Sequence, residues 1–172
     1  MEKVFNKKDY IIEFNKLVSG VNNLSFSLNT EFVETFSEGQ VSMPISVTAE
    51  LVLNKNHGMF ELDFQLKGNM TVACDNCLEE ISVPVDSHSH LIIKISEFEN
   101  YDDDEIVYLP PQSISFDISQ FLYDSLITSM PIRKTCELIS IPCKSNFESA
   151  KPETNKDKTD PRWDKLKDIL NI

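Results

Sequence analysis

The chain has 172 residues, a net charge of −12, 41% hydrophobic and 26% charged residues, which suits one globular domain with a substantial core plus an appendage. Such acidity argues against coating a phosphate backbone, which is gripped through lysine and arginine, and favours attraction to a basic protein partner such as a ribosomal protein. No stretch reaches the roughly 18–20 apolar residues of a membrane span, the first residues lack a secretory leader pattern, and four cysteines are too few for a disulfide scaffold, so the expectation is a cytoplasmic protein with reduced thiols.

Residues 1–19 are mixed, with Phe5, Tyr10, Ile11, Ile12, Phe14 and Leu17 as apolar anchors. In "NNLSFSLNT" Leu24, Phe26 and Leu28 alternate with Ser25 and Ser27, the pattern of a half-buried strand. "TEFVETFSEG" follows as a short helix, started by Thr30 and stopped before Gly39. Next, "ISVTAELVLN" reads as a strand, "KNHG" as a turn and "MFELDFQLKGNMTVAC" as a long return strand, with residues 59–66 ordered by twos. Gly68 is expected to mark a bulge there. "EEISVPVDSHSHLIIKIS" is strand-like again, with Pro84 expected at an edge or a break. Strands so close in sequence predict an antiparallel meander.

"EFENYDDDE" reads as an acidic loop and "IVYLP" as a further strand. The strongest helix signal is "FDISQFLYDSLITSMP": Asp117 and Gln120 have capping-box spacing, Ile118, Phe121, Leu122, Ser125 and Leu126 share a face, and Pro131 ends the element. Residues 144–159 are polar and read as a disordered linker. "DPRWDKLKDIL" then predicts a C-terminal amphipathic helix over 160–172, with Asp160 as cap, Pro161 in the first turn and a stripe of Trp163, Leu166, Ile169 and Leu170. The fold class is therefore α+β: an antiparallel meander packed by one main amphipathic helix over 1–143, then linker and terminal helix.

The cysteines carry the chemistry worth weighing. In "VACDNCLEEISVPV", Cys74 and Cys77 precede a strand pattern and not a helix, so no helix dipole is available to stabilise a thiolate. Asp75, Glu79 and Glu80 are expected to raise the thiol pKa, and redox catalysis is disfavoured. A Cys-x-x-Cys at a tight turn supplies half of a closed zinc site, with Cys136 and Cys143 as the other two ligands at a looser spacing. His88 and His90 are alternative ligands that only a chain break near Pro84 brings back to the cysteines. Free thiols at a hairpin tip are the plainer expectation, with a structural zinc on the four cysteines as the alternative. The run 102–105 lacks the ligand alternation and turn glycine of a calcium loop. Neither a Gly-x-Ser-x-Gly elbow nor a phosphate-binding glycine loop occurs, and His57 falls in a turn, so no catalytic residue is assigned.

The terminal helix is too short to stand alone in water. Its stripe docks either on its own sheet or on a partner, and the only tryptophan stands among basic neighbours, an arrangement suited to RNA or a ribosomal surface. Arg162, Trp163, Lys165 and Leu166 are the candidate partner-binding residues.

Three of these stretches together resemble the YceD-like family of large ribosomal RNA subunit accumulation proteins. They are the strand–Cys-x-x-Cys–strand unit "GNMTVACDNCLEEISVPV", the amphipathic "FDISQFLYDSLITSMPIRKTC" ending in a Met-Pro step before a cysteine, and the closing "DPRWDKLKDIL". They lie in the family's order over residues 68–172. The chain departs from the pattern in two places: Cys136 and Cys143 replace a second tight cysteine pair followed by glycine, and Asp124 stands where the family often has glutamate. The resemblance implies a non-enzymatic role in the synthesis or accumulation of large-subunit ribosomal RNA and in ribosome assembly. Its expected partners are a ribosomal protein or pre-ribosomal particle.

Overall fold

A computed structural model of the chain describes residues 7–38, 43–97 and 106–143. Strands β1 (Ile11–Glu13) and β2 (Gly20–Asn29) lead into helix α1 (Thr30–Phe36), and β3 (Ile45–Asn56), β4 (Met59–Ala73) and β5 (Glu80–Ile95) follow. After them come β6 (Ile106–Leu109), β7 (Ser115–Asp117) and helix α2 (Ser119–Thr128). The expected α+β class is what the fold shows. The predicted linker and C-terminal helix, the run 102–105 and the residues Arg162, Trp163, Lys165 and Leu166 lie outside the described residues.

Five strands form one sheet in the order β2-β3-β4-β5-β6. The first four make the predicted antiparallel meander, but β6 joins in parallel, pairing Ile106 to Leu109 against Ile92 to Ile95. Alternation in the sequence drives this sheet. Val47, Ala49, Leu51 and Leu53 of β3 and Phe60, Leu62, Phe64 and Leu66 of β4 are buried on one face, as a period of two requires when one face is covered. The intervening Thr48, Glu50, Glu61, Asp63, Gln65 and Lys67 take the other face. The buried face is covered by α1, α2 and the segment around Tyr10, through Phe32, Val33, Ile118, Leu122 and Leu126. Aromatic contacts join these pieces: Phe121 meets Phe64 at 4.9 Å between ring centroids, Tyr123 stacks on Phe36 at 5.4 Å, and Phe14 stacks on Phe60 at 4.4 Å.

Several local expectations need correction. Gly68 is not a bulge: Val47, Gly68 and Val85 lie opposite one another in a register that runs unbroken through both ladders. Glycine is needed there for close approach, since an added Cβ would run into the Ser46 carbonyl and sit 2.6 Å from the Cα of Val47. Pro84 causes no break either. It sits inside β5 opposite Asn69, and β6 pairs only with Ile92 to Ile95, so among the described residues Pro84 lies on an unpaired side of β5, the edge position that was the other expectation. Asn29, and not Thr30, caps α1, its Oδ1 accepting from the amide of Phe32 at 3.0 Å, while Thr30 Oγ1 accepts from the amide of Ile45.

The stretch read as one helix from Phe116 begins as strand, because Ser115, Phe116 and Asp117 pair with Glu13, Ile12 and Ile11 of β1. The predicted capping box at α2 does not form, since the N-cap position falls on Ile118 with no side-chain cap. The Asp117 carboxylate accepts from the amide and the hydroxyl of Ser119, whereas Gln120 Nε2 turns away to donate to Asp124 Oδ1 at 2.9 Å. The predicted inward face of α2 is otherwise correct: Leu122, Ser125 and Leu126 are buried, and Ser125 Oγ donates to Ser89 Oγ of β5 at 3.2 Å. Among the described residues no helix is long and apolar enough to cross a membrane.

Candidate functional site

All four cysteines converge at the end of the sheet where β4 passes into β5. Cys74 and Cys77 lie in the connecting turn, Cys136 opens a short 3-10 turn (Cys136–Ile139), and Cys143 follows it. Their sulfurs all lie within 4.8 Å of one another. Cys74 Sγ is 3.8 Å from Cys143 Sγ, and Cys77 Sγ is 3.5 Å from Cys136 Sγ. These separations are far beyond a disulfide bond of about 2.05 Å, and all four are free thiols.

Local chemistry builds each half. The Cys74 amide donates to the Glu79 carbonyl and the Leu78 amide to the Cys74 carbonyl, which folds the turn on itself with Leu78 at a φ of 62°. The other half is clamped to this turn through Asp75, whose amide donates to the Lys134 carbonyl while its Oδ2 accepts from the Lys134 amide at 2.7 Å. Sequence spacing made Cys136 and Cys143 a poor pair. The 3-10 turn and Ser140, at a φ of 56°, take up the extra residues, and the Ile141 amide returns to the Cys136 carbonyl at 3.1 Å.

The sulfurs have unequal surroundings. Backbone N–H groups, that of Cys77 foremost and then those of Asn76 and Cys136, point at Cys74 Sγ and pull its pKa down to about 6. This reverses the expectation that nearby carboxylates would raise it. The lowering comes from amides in a turn, with no helix following. Burial, and then the Cys77 thiol, push Cys136 up, and the same two causes raise Cys143. The amides around Cys74 thus favour its thiolate, while burial disfavours ionisation of Cys136 and Cys143 beside it. The donors fit a tetrahedral ion in size: ligands about 2.3 Å from zinc stand roughly 3.8 Å apart.

His88 and His90 do not join this cluster, since unbroken β5 keeps them on the polar face of the sheet. There His90 Nδ1 lies 2.8 Å from Asp63 Oδ1 and His88 Nε2 lies 4.0 Å from the same oxygen. His57 sits in the β3–β4 turn as expected. Sequence reading missed the exposed aliphatic rim on the elements that carry the cysteines, formed by Leu78, Ile132, Leu138 and Ile141. Nothing in the local pattern distinguishes these residues from core positions, and only the geometry of the turns turns them outward.

Residues 62–170 match the family model described as large ribosomal RNA subunit accumulation protein YceD, a span that takes in the long β4–β5 hairpin and all four cysteines. No curated protein and no solved structure matches the chain.

Proposed function

The chain belongs to the YceD family, and from that premise we propose that it is a non-enzymatic factor that supports the accumulation of large-subunit ribosomal RNA and ribosome assembly. The family match over 62–170 carries this reading. The fold is consistent with it: the sheet and its helices form a single packed body suited to docking. In this reading the protein works in the cytoplasm and contacts a ribosomal protein or pre-ribosomal particle, with Arg162, Trp163, Lys165 and Leu166 of the C-terminal segment as contact residues. A strain lacking the protein is expected to show reduced large-subunit ribosomal RNA and fewer complete large subunits. Unchanged ribosome profiles in that strain would overturn the proposal.

A second reading concerns what holds the body together. The convergence of four sulfurs supports a structural zinc on Cys74, Cys77, Cys136 and Cys143. With all four protein ligands supplied, such a site has no open position for substrate, so it fits the docking role and not a reaction centre. Protein purified without a tag is expected to carry one equivalent of zinc by elemental analysis, lost on Cys74→Ser. Metal-free protein with unchanged stability would sink this reading while leaving the ribosomal one standing.

A further inference from the structure

The free edge of the sheet at β2 is built to accept another strand. Among the described residues β2 pairs only with β3, and no strand of theirs lies along its other side. Along such an edge alternate residues aim their backbone N–H and C=O groups outward. The Tyr10 hydroxyl donates to the Ser27 carbonyl at 2.7 Å from this side, which identifies the odd-numbered set. Tyr10 therefore closes one end of the edge, and among the described residues nothing hydrogen-bonds the outward groups of Val21, Asn23 and Ser25.

Proteins ordinarily protect such edges with charges, proline, bulges or shortness. β6, at the opposite edge, is only four residues long. β2 has ten residues, "GVNNLSFSLN", with no charged residue and no proline, and its register with β3 runs without a bulge. In a chain with 26% charged residues, that stretch is conspicuously undefended. A groove of about 420 Å³ runs beside it, walled on the far side by residues around β1. Ile11, Val18 and Val21 line it at 37, 64 and 63% exposure, which gives apolar purchase for alternate side chains of an incoming strand.

Charge selects the occupant. Asp9 lines the groove and Glu50 lies opposite Ser25 on the neighbouring strand, while Glu13 and Lys16 of the lining pair with each other at 2.9 Å and offset one another. The whole molecule carries −12. A second copy brings the same acidic field, so edge-to-edge self-pairing is opposed, whereas a basic chain is drawn in. We propose that β2 binds an extended, basic, alternately apolar segment of a partner protein by strand addition, with Asn23 and Ser25 supplying the backbone hydrogen bonds. That the partner belongs to the large subunit rests on the reading above, but strand addition does not.

The test uses the full chain and an eight-residue peptide alternating valine and lysine, with a valine–glutamate peptide for comparison, followed by hydrogen–deuterium exchange. The amides of Asn23 and Ser25 are expected to slow by tenfold or more with the basic peptide and to stay fast with the acidic one. The pair Asn23→Pro and Ser25→Pro removes two outward donors and is expected to weaken binding about tenfold. Asn23→Lys with Ser25→Lys keeps the backbone intact, so its loss of binding with an unchanged melting temperature guards against a mere folding defect. Equal protection by both peptides, or protection elsewhere than β2, would overturn the proposal. So would protection of β2 in the free protein together with a dimer by sedimentation, which assigns the edge to a second copy. Loss of ribosomal RNA in a deletion strain bears only on the ribosomal reading, so the two fail separately.

Discussion

At one end of the sheet β3 turns into β4 over His57 and Gly58 alone, with Asn56 directly opposite Met59. At the other end β4 turns into β5 over residues 74–79, and the elements that stabilise that turn come from Lys134, Cys136 and Cys143. The first tip is encoded largely by adjacent residues: Gly58 takes a φ of 70°, which glycine adopts freely, and the strands on either side alternate in step, while the Gly58 carbonyl accepts from the Ile95 amide at 2.8 Å. The second combines its own hydrogen bonds, Cys74 amide to Glu79 carbonyl and Leu78 amide to Cys74 carbonyl, with contacts to residues some sixty positions away. One tip is written mainly by its neighbours and the other adds an agreement between distant segments, which brings the four sulfurs together.

Four experiments sharpen or break that contrast, from the largest effect to the smallest. On the zinc reading proposed above, stripping metal with a chelator, or replacing Cys136 with serine, is expected to lower the melting temperature by about 10 °C or more, because metal binding at a closed site is folding free energy. Hydrogen exchange should show residues 74–80 opening while the amides around 56–59 stay protected. Loss of protection at both ends together would mean that the tips are not independent. Phe60→Ala, beside the other tip, removes a buried ring stacked on Phe14. It is expected to cost about 3–4 kcal/mol by urea denaturation, with zinc content unchanged. Gly58→Ala forces a side chain into the left-handed region and is expected to cost about 1 kcal/mol, read as a lower urea midpoint at constant slope. Asp75→Ala removes the exposed carboxylate that accepts from Lys134. It is expected to cost about 0.5–1 kcal/mol and to speed zinc release, and a variant that releases zinc at the parent rate would detach this clamp from the cluster.

The same contrast explains what was legible in the sequence. Strict alternation from Phe60 to Leu66, a turn containing glycine and the apolar spacing of Leu122 and Leu126 each report structure within a few residues, and each was read correctly. The strands β1 and β7 escaped because three residues carry no detectable period, and Ile12 meets Phe116 only after the rest of the chain has folded between them. The parallel docking of β6 is likewise a tertiary outcome. At the cysteines the four-membered set was legible only as the alternative to free thiols, because Cys74 and Cys143 lie 69 positions apart and only the fold shows that they meet. The undefended edge was visible as an uncharged stretch, yet its meaning depended on knowing that β2 has one neighbour.

The uninterrupted pairing from Ile45 to Ile95 has a consequence for how this chain can vary over time. Because partners across both ladders keep a constant sum of residue numbers, a one-residue slip within β4 would turn Leu62, Phe64 and Leu66 towards water, and a slip in β3 or β5 would invert that strand's own alternation in the same way. Length changes are therefore confined to the two connections. Of these, the one at 74–79 is also tied to Lys134, Cys136 and Cys143, so a lengthened loop in this chain is expected to be better tolerated at His57 and Gly58.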